Sequence, residues 1–176
     1  GDNSQYFGCF EIAGTNMLVN LCSNAALGGP LNEFDAQSVV LRNRAVLAPG
    51  VAKVTLVAAD NRGICVKANG GCLRAEAGRE LRIEWPFSGW GVVEKLGSGT
   101  VTLVNCKEKS RNRWLRSVYV AEGATLEFRL ADGVRPKLTT SCAVFAPGAK
   151  IVLSGTATDV PEEGEVFKLI TGSPRL

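Results

Sequence analysis

Carboxylates are the side chains of this sequence best placed to do chemistry. Glu76, Glu80 and Glu84 gather around one short alternating stretch, and Glu122 and Glu127 around another. A glycan-cleaving site needs two acids facing one cleft, roughly 5–5.5 Å apart for a covalent route or ~6.5–9.5 Å apart to admit a water. Glu80 and Glu84 have the parity opposite to Leu81, Ile83 and Trp85, which puts them on the wet side of a strand. An ordinary polar sheet face keeps its acids there too. No dense acidic loop of the calcium-binding type occurs. Histidine is absent, which removes the commonest general base, pH switch and zinc ligand together. No Ser-His-Asp or Cys-His nucleophile can then be assembled, and Gly-x-Ser-x-Gly is missing as well. The balance is against an enzyme, and no cofactor or metal is implied.

Three other groups carry binding chemistry. Trp85, Phe87 and Trp90 lie beside Pro86 and Gly89; flat rings there suit a sugar-binding shelf, or alternatively Trp85 points inward and the others cover an edge. Arg111, Arg113 and Arg116, with Lys107, Lys109 and Trp114, form the strongest basic run. Cations around a ring suit an anionic polymer, and they equally suit a solvated loop. The glycines of Leu96-Gly97-Ser98-Gly99-Thr100 lack the Gly-Lys-Ser/Thr ending and the following helix that a phosphate cradle needs. Cysteines stand at Cys9, Cys22, Cys65, Cys72, Cys106 and Cys142 with no CxxC, so neither a zinc knuckle nor a redox motif starts here. An even, scattered set fits three disulfides in an oxidising compartment, with Cys9–Cys22, Cys65–Cys72 and Cys106–Cys142 as the preferred pairing. Buried free thiols are the alternative.

The elements that must hold these groups are short strands. The chain has 176 residues, 45% apolar, with 20 glycines and a net charge of +3. That is one domain with a real core, and the small charge excess does not call for nucleic acid. No apolar run of 18 residues exists, so no helix spans a membrane. Gly1-Asp2-Asn3-Ser4 has no leader character, so an exported form has lost its signal. One phrase recurs: a small or apolar run, a Gly, then an alternating strand. It reads VLAPGVAKVTLV at 46–57, CLRAEAGRELRIEW at 72–85, VYVAEGATLEFRL at 118–130 and AVFAPGAKIVLS at 143–154, with looser forms at 10–21 and 94–104. Its glycines are Gly14, Gly50, Gly78, Gly99, Gly123 and Gly148. Recurrence every ~20–30 residues marks a solenoid, whose units bury their apolar faces by stacking. Pro49-Gly50 and Pro147-Gly148 have the composition of type II turns. Residues 31–42 are the one stretch in which a turn or two of helix is expected.

Residues 89–128 resemble the passenger-associated repeat of bacterial autotransporter-type surface proteins. Lys95-Leu96-Gly97-Ser98-Gly99-Thr100-Val101-Thr102-Leu103 matches its first half and Val118-Tyr119-Val120-Ala121-Glu122-Gly123-Ala124-Thr125-Leu126-Glu127-Phe128 its second. The loop Cys106–Arg116 departs from the usual Asn-Thr-Tyr-Thr-Gly-Gly centre. The resemblance implies an exported right-handed β-helix on or outside a bacterial cell, and it transfers no catalytic residue.

The reading is therefore an all-β chain: a single-stranded right-handed β-helix (β-solenoid) over 1–176, with an irregular N-terminal cap at 1–35 and, at 160–176, a terminal strand over Val166–Ile170 and a tail. A β-sandwich or jelly roll is the competing fold. The expected role is a non-enzymatic structural or adhesion module, secreted or at the cell surface, with an extracellular glycan or surface protein as partner. The alternative is a carbohydrate-binding or glycan-processing β-helix or β-sandwich. A glycan site requires an exposed strip joining Trp85–Trp90 to two acids, whereas a scaffold packs those rings.

Overall fold

The computed structural model describes residues 2–15, 17–104, 115–130, 136–156, 166 and 168–172. Its short strands stack as successive coils along three faces. The first coil holds β1 (Phe10–Ala13) and β2 (Leu18–Leu21). The second holds β3 (Asp35–Arg42), β4 (Ala45–Pro49) and β5 (Lys53–Leu56). The third holds β6 (Arg62–Val66), β7 (Gly71–Arg74) and β8 (Glu80–Ile83). The fourth holds β9 (Phe87–Gly89), β10 (Val92–Leu96) and β11 (Thr100–Leu103). After these come β12 (Ser117–Val120) and β13 (Thr125–Arg129). A coil of β14 (Leu138–Thr140), β15 (Ala143–Phe145) and β16 (Lys150–Ser154) follows, and then β17 (Ile170–Gly172).

The first face runs β1-β3-β6-β9, the second β2-β4-β7-β10-β12-β15, and the third β5-β8-β11-β13-β16, while β14 and β17 pair separately. Every strand pair among the described residues is parallel. The fold is a β-solenoid. A sandwich or jelly roll is excluded, because both are built from antiparallel strands.

The parallel register turns the period-two pattern into columns. On the third face Val54, Leu81, Val101, Leu126 and Ile151 stand in one line, and Leu56, Ile83, Leu103, Phe128 and Leu153 in the next. The alternate residues, Lys53, Glu80, Thr100, Thr125 and Lys150, form an outward line. Inward members from the middle coils are fully buried, Leu81, Ile83, Val101 and Phe128 among them. Each is covered by its own column above and below at the ~4.8 Å strand spacing.

Four expectations need correction. The stretch 31–42 is not helical: Asp35–Arg42 is the eight-residue strand β3. Ser38, Val39, Val40 and Leu41 are all buried, and burial on both sides erases the alternation that identifies a strand. The N-terminal stretch is not all cap, since β1 pairs with β3 and β2 with β4. The last strand among the described residues is β17 at Ile170–Gly172, which meets the expected Val166–Ile170 only at its final residue. The glycines do not share one geometry. Gly78, Gly123 and Gly148 have φ near +70°, whereas Gly50 and Gly99 do not have positive φ; a Cβ on Gly99 would meet Glu76 O, and one on Gly50 would meet Cys22 Sγ. Pro147-Gly148 therefore matches a turn with positive φ at Gly, and Pro49-Gly50 does not.

Candidate functional site

The aromatic shelf is dismantled by the strand register. Trp85 is completely buried, and its indole Nε1 donates to Val57 O at 2.8 Å. Phe87 is buried in the same core. Trp90 alone of the three is exposed, at 51%. A flat sugar platform needs adjacent accessible rings, and here two of the three are core. Of the basic run, Arg116 is exposed. Arg111, Arg113, Trp114 and Cys106 lie outside the described residues.

The disulfide expectation is also corrected. Cys9, Cys22, Cys65, Cys72 and Cys142 are all unbonded. The favoured pairs are split by topology: Cys65 sits on β6 of the first face and Cys72 on β7 of the second. Cys9 precedes β1 and its Sγ donates to Gln37 O at 3.0 Å, while Cys22 follows β2. Burial, with the Glu94 carboxylate nearby, pushes the Cys72 thiol up to about 11. Such a thiol is a poor nucleophile.

Three of the acids, Glu80, Glu84 and Glu127, lie along the third face, while Glu76 pairs with Arg74 beyond β7. Thr102 is fully buried, with its Oγ1 3.1 Å from Glu80 Oε1 and 3.0 Å from Glu127 Oε2. Lys53 Nζ stands 2.8 Å from Glu80 Oε2, and Ser154 Oγ bonds Glu127 Oε1. Arg82 Nε pairs with Glu84 Oε1 at 2.9 Å, and Glu84 Oε2 accepts from Ala58 N. Each acid is thus engaged by an ordered donor from a neighbouring coil or its own strand. A hydroxyl carries one proton, so Thr102 donates to one carboxylate at a time. The arrangement ties five successive third-face strands, β5, β8, β11, β13 and β16, together like rungs. It lies on the outward side of a sheet, away from the hollow described next.

Two sites escaped the reading of the sequence. At the N-terminal end a hollow of about 530 Å³ is lined by Phe10, Ile12, Met17, Val19 and Leu27 together with the polar Asn3, Glu11 and Asn20. It lies at the first coil, beside β1 and β2. Inside the stack, Lys95 occupies the second-face inward column between Leu73 and Val120. It is 1% exposed, and its Nζ donates to Leu96 O at 2.6 Å and Gly97 O at 2.7 Å. Burial pushes its ammonium down to about 8, opposed by the charge of Glu76. Arg62, equally buried, donates to Gly29 O, Gly8 O and Tyr6 O and so fastens the N-terminal segment to β6. A signal existed for Lys95. Lys95 stands four residues before Gly99, close to where Leu47, Val120 and Phe145 stand three residues before Gly50, Gly123 and Gly148.

No family model, curated protein or solved structure matches this chain.

Proposed function

We propose that the chain is a non-enzymatic structural module of a secreted or cell-surface protein, in which stacked coils supply stiffness and the ends and loops make the contacts. The burial of Trp85 and Phe87 carries this reading, because it removes the ring platform that a glycan site on this face would use. The engagement of Glu80, Glu84 and Glu127 by Lys53, Arg82, Thr102 and Ser154 supports it. These carboxylates serve the stack between coils. The secreted or surface placement rests on the resemblance of residues 89–128, and it draws nothing from the cysteines, whose described thiols are unbonded.

The test combines a glycan array with protease accessibility on intact source cells. A silent array and cleavage of the protein from outside are expected. A sugar bound through Trp90, turnover of any polysaccharide, or complete protection inside the cell would overturn the proposal.

A further inference from the structure

The outward side of the second face carries a notch built from three successive coils. Asn20 of β2 pairs with Ala48 of β4, and the β4–β7 register brings Arg74 next in that column. Ala48 has only a methyl group, so the column sinks there between two longer side chains. The notch holds about 180 Å³, with Ala48 and Pro49 as its floor and Leu18 and Asn20 as one wall. Its opposite wall is the corner of the third coil. Leu81 follows Leu73 by eight positions, whereas Leu126 follows Val120 by six, so this corner has length to spare. It closes on a turn in which Arg79 N donates to Glu76 O at 2.9 Å, with Gly78 at φ +73°. The Arg79 side chain reaches back over β4, where its Nη1 donates to Pro49 O at 2.9 Å. Thr100 N, donating to Arg79 O at 3.0 Å, pins the same residue from the fourth coil.

Two guanidiniums therefore border one notch. Arg74 gives its Nε to Glu76 Oε1, which leaves both of its Nη groups. Arg79 is paired with no carboxylate among the described residues. Glu76 borders the notch as well, but its carboxylate is engaged by Arg74 and its Oε2 lies beside Gly97 of the fourth coil. A guanidinium presents a fork of donors that matches the two oxygens of a carboxylate. A fork already held by a backbone carbonyl loses less freedom when it closes on a ligand. Leu18, Ala48 and the Pro49 ring add apolar surface, which suits a hydrocarbon stem and offers a sugar's hydroxyls no partner.

From this we propose that the notch over β4 binds an organic carboxylate carried on a short apolar stem. Arg74 and Arg79 take its oxygens, and its stem lies against Leu18, Ala48 and Pro49. A free branched short-chain acid and a peptide ending in an apolar residue share that chemistry. Inorganic phosphate fits less well, because oxygens turned to the apolar floor lose water without gaining a partner. The site goes beyond the scaffold reading and does not depend on it.

The test titrates the full chain with isovalerate, a free acid, and with N-acetylleucine, which represents a chain end. N-acetylleucinamide and inorganic phosphate are the controls, and amide chemical shifts are the readout. Saturable binding of an acid at about 1 mM is expected, with shifts centred on Ala48 and Arg79 and none from the leucinamide. Tighter binding of isovalerate assigns a free acid and tighter binding of N-acetylleucine a chain end; either result upholds the site. Arg79→Gln should weaken binding by about tenfold or more. Ala48→Leu, which fills the notch with every charge in place, should weaken it as much. Thermal melts verify folding, and Arg74→Gln serves where Arg79→Gln fails to fold. Failure of both acids to bind, equal binding of the leucinamide, phosphate binding as tight as either acid, or affinity unchanged in either folded variant overturns the proposal. None of these readouts involves glycan or localisation, so this site and the scaffold reading fail separately.

Discussion

Lys95 and Arg62 are both charged side chains held inside the stack, and the interior treats them differently. Arg62 spreads its charge over three carbonyls of the N-terminal segment, which makes it a fastening that a delocalised fork suits. Lys95 is a compact ammonium beside Leu73 and Val120 with two carbonyls for company, and desolvation opposes its charge. Its folded-state value of about 8 lies below the ordinary 10.5. Between those two pH values the unfolded chain holds the proton that the folded chain has released, so stability rises with pH across that window. Below about 8 the cost is present in full. Lys95→Met is therefore expected to stabilise the protein at pH 7 by about 1–4 kcal/mol, as buried charges replaced by apolar groups of similar volume often do. The gain should shrink toward pH 10.5, and urea unfolding at pH 7, 9 and 10.5 checks it. A constant difference across the series would remove the electrostatic explanation. The thiols make a second prediction at this scale. In a Cys106→Ser background, Cys9, Cys22 and Cys142 should react with an aromatic disulfide reagent in the native state, and Cys65 and Cys72 only after unfolding. An intact mass unchanged by reduction goes with that result.

At the scale of the element, the recurring phrase is a corner. In the coils from β4 onward it spans a second-face strand, the turn, and a third-face strand, as β7–Gly78–β8 and β12–Gly123–β13 show. Gly14 belongs to the other corner, between β1 and β2, and this explains its wide separation from Gly50. The second- and third-face strands were legible because their turns need Gly and their outward residues are polar. The first face had no such mark. Its strands β3, β6 and β9 are buried on both sides over much of their length, so apolar residues follow one another and the two-residue period vanishes. Glycines of the two kinds should respond differently to Ala. Gly89 has φ +106°, and an added Cβ would press into Val66 O and the Val66 backbone; Gly89→Ala is expected to cost about 2–5 kcal/mol. Gly123 has φ +66° with open space around it, so Gly123→Ala should cost only the backbone strain, about 1–2 kcal/mol. Chemical denaturation of the pair measures the contrast, and equal costs would show that close approach to the neighbouring coil is not what Gly89 is for.

Across the whole molecule, stability is a sum over neighbouring coils, and coils at the ends have one neighbour each. Amide exchange should be slowest in β6, β7, β8, β10 and β11, which are paired on both edges, and fastest in β15, β16 and β1. Uniform protection along the chain would contradict that gradient. The sequence by itself determined the all-β class, the solenoid, and the inward residues of the third face. These are local properties: glycine at a turn and alternation along a strand report on the few residues beside them. The fate of Trp85, the separation of Cys65 from Cys72, the Glu80–Thr102–Glu127 rung, the placement of Lys95 in an apolar column and the open hollow at the first coil were decided by the tertiary structure. Each depends on which residues of different coils share a column. That register is set by the length of every corner and loop between them, a quantity summed along the chain that no single segment carries.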